Sequence, residues 1–234
     1  MDRDERALIL SDGSLASAVA CAAASEASAL AGRKDRPAIM AWMSQHTPGL
    51  AARRKAVDAQ TDLFGLDQLP PPEQLASVKA LGEAECIDLL RATYAAAHAG
   101  CVVVVWPIHC VTNEGAVDLD GVARTVDRSL LVARLVGLDA REHGHPGLRV
   151  EVPYVDLTDI QLADLAFEFA VPLRGCWWST GGGSDAAAER ARWTKALRAV
   201  GWRSEPAPIT PAHAPNATRS ASTASVPTRV AGKP

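Results

Sequence analysis

The stretch LILSDGSLASAVA (8–20) sets a tight turn, Ser11-Asp12-Gly13-Ser14, between an apolar run and an Ala-rich one. A strand that turns sharply into a helix presents unpaired N–H groups and the positive end of the helix dipole, the chemistry that holds phosphate. His109 and Cys110 follow the run CVVVVWPI (101–108), and a thiol beside an imidazole has the makings of a nucleophile and its base. Adjacent residues on an extended strand point to opposite faces, so the two are expected not to pair with each other. His109 instead stands at the carboxyl end of a strand, where a ligand pocket belongs. His143 and His145 in REHGHPG (141–147) have the spacing of a metal pair, but their Gly-Pro context marks a surface loop. The five cysteines, Cys21, Cys86, Cys101, Cys110 and Cys176, are scattered and lack the spacing of a metal knuckle. They read as buried free thiols.

Positioning these groups requires a scaffold, and the sequence supplies one by alternation. Strands are predicted at 7–10, 37–43, 101–106 and 148–155, and helices at 15–30, 50–65, 83–98, 117–137, 157–170 and 185–201. LPPPEQ (69–74) reads as a stiff loop, Gly65 as a helix C-cap, and Asp156 or Thr158 as an N-cap, with Asp156 and Asp159 stabilising the helix start. The β-branched run at 101–106 predicts a strand buried on both faces. This order argues for a doubly wound, mostly parallel α/β sheet with helices on both faces, Rossmann-like, in one domain over residues 1–203. From Ser204 the chain turns rich in Pro, Ala, Ser and Thr, and 204–234 is expected to be a disordered tail. The formal charge of −3 argues against electrostatic capture of nucleic acid. No apolar run approaches the roughly 18 residues of a spanning helix, so no membrane partner is expected. The mixed-charge start MDRDERALIL lacks a signal-peptide pattern and predicts a cytoplasmic protein.

Three stretches together resemble the PP-loop ATP pyrophosphatases, whose signature S-G-G-x-D-S follows the first strand. Within that superfamily, AWMSQH (41–46) with the basic helix LAARRKA (50–56) is similar to a segment of the 7-cyano-7-deazaguanine synthases of queuosine biosynthesis. VEVPYVDLTDIQLADLAFEFAVPLRGCWWS (150–179) resembles their late segment. The resemblance implies an ATP-dependent ligase that converts a deazaguanine carboxylate to a nitrile, using magnesium and a structural zinc. It places Ser11, Gly13, Ser14 and Ser17 at the nucleotide, and Gln45 and His46 near the nucleotide or substrate; with His109 the latter make a candidate substrate pocket. The departures bear on what is inherited. Asp12 stands where the family has its first Ser, Ser14 where it has the second Gly, and Ala16 where it has the Asp beside magnesium and phosphates. Gly181, Ser184 and Ala187 replace the knuckle cysteines, while Gly182, Asp185 and Arg190 keep its scaffold. Zinc is therefore not expected. Trp106 and Pro107 replace a small, glycine-containing strand end and are expected to narrow the pocket. Of Trp177 and Trp178, one is expected in the core and the other at a contact surface.

Two functions of different class remain. One is an ATP-dependent enzyme with a relocated set of residues, in which Ser11, Ser14 and Ser17 hold phosphate. The other is a non-catalytic binding or scaffold protein, a pseudoenzyme that keeps the fold and takes a nucleotide or deazapurine, with homo-oligomerisation open.

Overall fold

The run ALILS (7–11) is buried along its whole length, which a strand achieves only at the centre of a sheet covered on both faces. The computed structural model describes residues 6–33, 35–43, 47–71, 81–112, 115–142 and 147–203, without the side chains of residues 81, 83, 84 and 140–142. The chain divides into Met1–Trp202 and Arg203–Pro234, and the sheet and its helices belong to the first unit. Five strands, β1 (Ala7–Ser11), β2 (Ala38–Ala41), β3 (Asp67–Leu69), β4 (Val103–Val105) and β5 (Arg149–Glu151), pair in the order β3-β2-β1-β4-β5. Every pairing is parallel. The doubly wound α/β fold expected from the alternation is the fold observed.

The helices are α1 (Leu15–Leu30), α2 (Leu50–Phe64), α3 (Leu81–His98), α4 (Leu119–Glu142), α5 (Asp159–Glu168), α6 (Trp177–Thr180) and α7 (Ser184–Ala199), with a 3-10 turn at Leu173–Gly175 before α6. The period-two alternation of the strands divides the core between two layers. Ile9 and Ile39 face α1, α2, α5 and α7, with Leu162, Trp193 and Leu197 in the same cluster. Leu8, Leu10, Met40 and Val104 face α3 and α4, against Leu89, Val132 and Val136. Helix α1 explains its own alanines: Leu15 to Ala22 are all buried, so its first two turns are enclosed on every side and only small side chains fit. Gly65 closes α2 in the left-handed conformation (φ 62°), its N–H donating to the Thr61 carbonyl.

Some expectations needed correction. Residues 67–69 form an edge strand that was not anticipated, because Asp-Gln-Leu carries no β-branched signal. It is held by register with β2 and by Arg6, whose guanidinium bonds Asp67 at 2.6 Å and the Ala99 carbonyl at 3.0 Å. Pro70 and Pro71, which follow it, suit an edge, since a missing N–H costs nothing there; residues 72–74 of the expected loop lie outside the described residues. The strands at 37–43, 101–106 and 148–155 are shorter than expected, and α4 runs longer, to Glu142. Thr158 rather than Asp156 caps α5, in a full capping box with Gln161. Trp177 and Trp178 are both buried, so neither is a contact surface. Of the cysteines, Cys21, Cys101 and Cys176 are buried, but Cys86 and Cys110 are only half-buried.

Candidate functional site

In a 3-2-1-4-5 sheet the connections leave β1 and β4 in opposite directions, opening a crevice beyond their carboxyl ends. A cavity of about 480 Å³ lies there, within the usual range for small-molecule sites. On one side stands the turn after β1. Gly13 takes φ +76°, and an added Cβ would fall 2.9 Å from both the Ala56 Cβ and the Arg53 carbonyl oxygen. Only glycine allows the turn to lie this close to α2.

The donors of that turn are already in use. The Ser14 N–H donates to Asp12 Oδ1 (3.0 Å), the Gly13 N–H to Ser11 Oγ (3.1 Å), the Asp12 N–H to Ser17 Oγ (3.2 Å) and the Ser17 N–H to Ser14 Oγ (3.3 Å). The Ser17 hydroxyl donates to Asp12 Oδ1 at 2.8 Å. The Asp12 carboxylate thus sits as a built-in anion at the start of α1, where helix geometry favours negative charge. Its other oxygen accepts from Arg53 Nη1 at 2.8 Å. Arg53 also bonds the Asp12 and Pro48 carbonyl oxygens (both 3.1 Å) and lies 4.3 Å over the Trp177 ring. Behind the turn, the fully buried Gln60 uses both ends of its amide. Its Oε1 accepts from the Ser11 hydroxyl (2.6 Å), and its Nε2 donates to the carbonyls of Gly175 (2.8 Å) and Ser14 (3.3 Å).

His109 forms the opposite wall. Its Nε2 lies 2.8 Å from the Leu157 carbonyl and therefore carries the proton, which leaves Nδ1 as an acceptor 3.8 Å from Asp159. Burial pushes its pKa below the ordinary value, against the opposing pull of the Leu157 carbonyl and Asp159. Asp159 is itself clasped by Arg192 through two bonds of 2.6 and 2.7 Å, so it does more than stabilise a helix start. Trp193 stacks against His109 at 5.8 Å and donates to Glu189 at 2.7 Å. Cys110 turns away towards Thr125, as its place next to His109 on the chain predicts. Trp106 is buried at the cleft's floor and meets Trp42 edge-on at 6.1 Å. On the α3 side, Glu85 pairs with Arg128, while burial raises the Asp88 carboxyl against the counter-effect of Arg91.

Both arginines of this lining are therefore committed to carboxylates, and tryptophans supply much of its apolar wall. The chain matches no known family model and no curated protein. What the cleft can do follows from its own residues. It offers flat aromatic surface and acceptor groups, and its cations are internally neutralised.

The structure brings Ser11, Gly13, Ser14, Ser17 and His109 to this cleft or directly behind it. Gln45 and His46 lie outside the described residues, as do His143, His145 and the segment 204–234. Among the described residues, no group of three or more His, Cys, Asp and Glu side chains is arranged to hold a metal ion. The stretch 176–190 is fastened by Arg190. Its guanidinium donates to the carbonyls of Trp178 (2.7 and 3.1 Å), Gly181 (2.9 Å) and Ser179 (3.4 Å). Sequence reasoning missed Gln60, Arg53 and Arg192. Only the basic pattern LAARRKA facing a lone Asp12 carried a hint of the second.

Proposed function

We propose that this chain is a divergent relative of the 7-cyano-7-deazaguanine synthases that no longer grips a triphosphate. On this reading it acts as a non-catalytic, cytoplasmic binding protein for a flat, uncharged heterocycle of the deazapurine or nucleoside class. The observation that carries the reading is the Asp12 carboxylate, which accepts from the turn's own donors and from Arg53. A phosphate entering there would have to break those bonds and approach a like charge. At about 4 Å that repulsion is about 1 kcal/mol in water and several-fold more in a partly buried site. Trp42, only half-buried, offers ring surface to a planar ligand, with Trp106 packed behind it, while Asp88 and the unprotonated Nδ1 of His109 can accept its N–H groups. No described helix is long and apolar enough to cross a membrane, and the free thiols suit a reducing compartment.

Calorimetry with magnesium-ATP tests the reading. The unmodified protein is expected to bind at millimolar affinity or weaker, and Asp12→Ser combined with Ala16→Asp should tighten binding by about tenfold or more. Deazapurine bases should quench the cleft tryptophans in both proteins. Tight magnesium-ATP binding by the unmodified protein would overturn this reading in favour of an ATP-dependent enzyme.

A further inference from the structure

An amphipathic helix on a sheet turns its apolar stripe inward, and α4 does so with Val132 and Val136. Its outer face, however, carries Leu130, Leu131, Leu135 and Leu138 at 62, 69, 48 and 58% exposure. Singly exposed leucines are ordinary; a cluster this dense on one helix marks a contact surface. Leu131, Leu135 and Leu138 follow the i, i+4, i+7 spacing of one stripe. Beside that stripe runs a groove of about 470 Å³ between α3 and α4, where Ile87, Leu90 and Leu135 are edged by Arg124, Asp127 and Arg128.

We propose that α4 and this groove form the interface of a two-fold symmetric dimer of the chain. The charges on the face identify the partner. Asp127 lies four residues before Leu131 and Arg134 three after it, both exposed and on the same flank of the stripe. When two copies of α4 lie antiparallel about an axis at Leu131, residues before Leu131 in one copy face residues after it in the other. Asp127 of each copy, at the edge of its groove, then meets Arg134 of the other, and the two grooves lie side by side across the axis. The pattern is its own complement, as an isologous interface requires. At 24 residues the helix is about 36 Å long, ample for such a contact. The dimer is independent of the ligand reading above.

Sedimentation velocity on the full chain tests the proposal. A dimer is expected at micromolar concentration, and a monomer at about 100 µM overturns the proposal. Leu131→Glu with Leu135→Glu should give a monomer whose melting curve stays cooperative, because both side chains are exposed; a dimer that survives the double substitution places the interface elsewhere and refutes the assignment. Asp127→Arg should weaken association by about tenfold, by setting arginine against arginine at two symmetric positions. Adding Arg134→Asp should restore it, and failure of that rescue overturns the antiparallel register.

Discussion

Gln60 shows how little of the site's chemistry is visible in residue types. Nothing in LAARRKAVDAQTDLF separates this glutamine from a surface one, yet it is fully buried and joins the β1 turn to the segment before α6. Replacing it with leucine would leave the Ser11 O–H without its acceptor and the Gly175 carbonyl without its donor. The expected cost is about 2–4 kcal/mol of unfolding free energy, measured by urea denaturation, and Gln60→Glu should cost no less, because its carboxylate would be buried against the carbonyls of Gly175 and Ser14. The glycine at position 13 was legible, because its place between strand and helix follows from the pattern. The role of Asp12 was legible only in sign. Its charge argues against phosphate from sequence alone, but that it satisfies the turn itself depends on Ser17 and Arg53, residues brought together by folding.

At the scale of elements, the strongly patterned pieces were readable and the marginal ones were not. Helix α1 was expected at 15–30 and is found at Leu15–Leu30, and α2 ends at its glycine, because buried apolar runs and C-caps are local signals. Strand β3 and helix α6 are three and four residues long, and tertiary partners impose them. The junction between α6 and α7 is a case in point: Arg190 gathers three carbonyls across it. Arg190→Ala should lower stability by about 1–2 kcal/mol. Arg190→Lys should not rescue it, since an ammonium cannot span the carbonyls as the planar fork does. Thermal melts of the two variants against the unmodified protein check this.

At the scale of the whole molecule, His109 ties β4's exit to α5 and α7, so its titration is felt as global stability. Burial holds its folded pKa below the ordinary value of about 6.5, which the unfolded chain recovers. The unfolded state therefore binds more protons as pH falls through that value. The stability His109 contributes is complete above it and is lost on acidification towards the lower, folded pKa. Denaturant midpoints should thus fall from pH 7 to pH 5, and His109→Gln, which keeps a donor for the Leu157 carbonyl, should flatten the slope. The sheet order was legible as a class from alternation, and its cleft followed from that order. The cleft's neutralised cations were not, because the Asp159–Arg192 pair joins residues 33 positions apart.

The turn after β1, stitched by Asp12, has one more consequence. Loops that close around phosphate are ordinarily half-made until it arrives, and that incompleteness is what lets a cell's nucleotide supply act as a signal. A loop that furnishes its own counter-charge has its donors satisfied before any ligand arrives, and a ligand that favours no shape over another shifts none. On the proposed reading, this side of the cleft needs no bound anion to complete its hydrogen bonds. A ligand that enters the cleft meets arginines already paired with carboxylates.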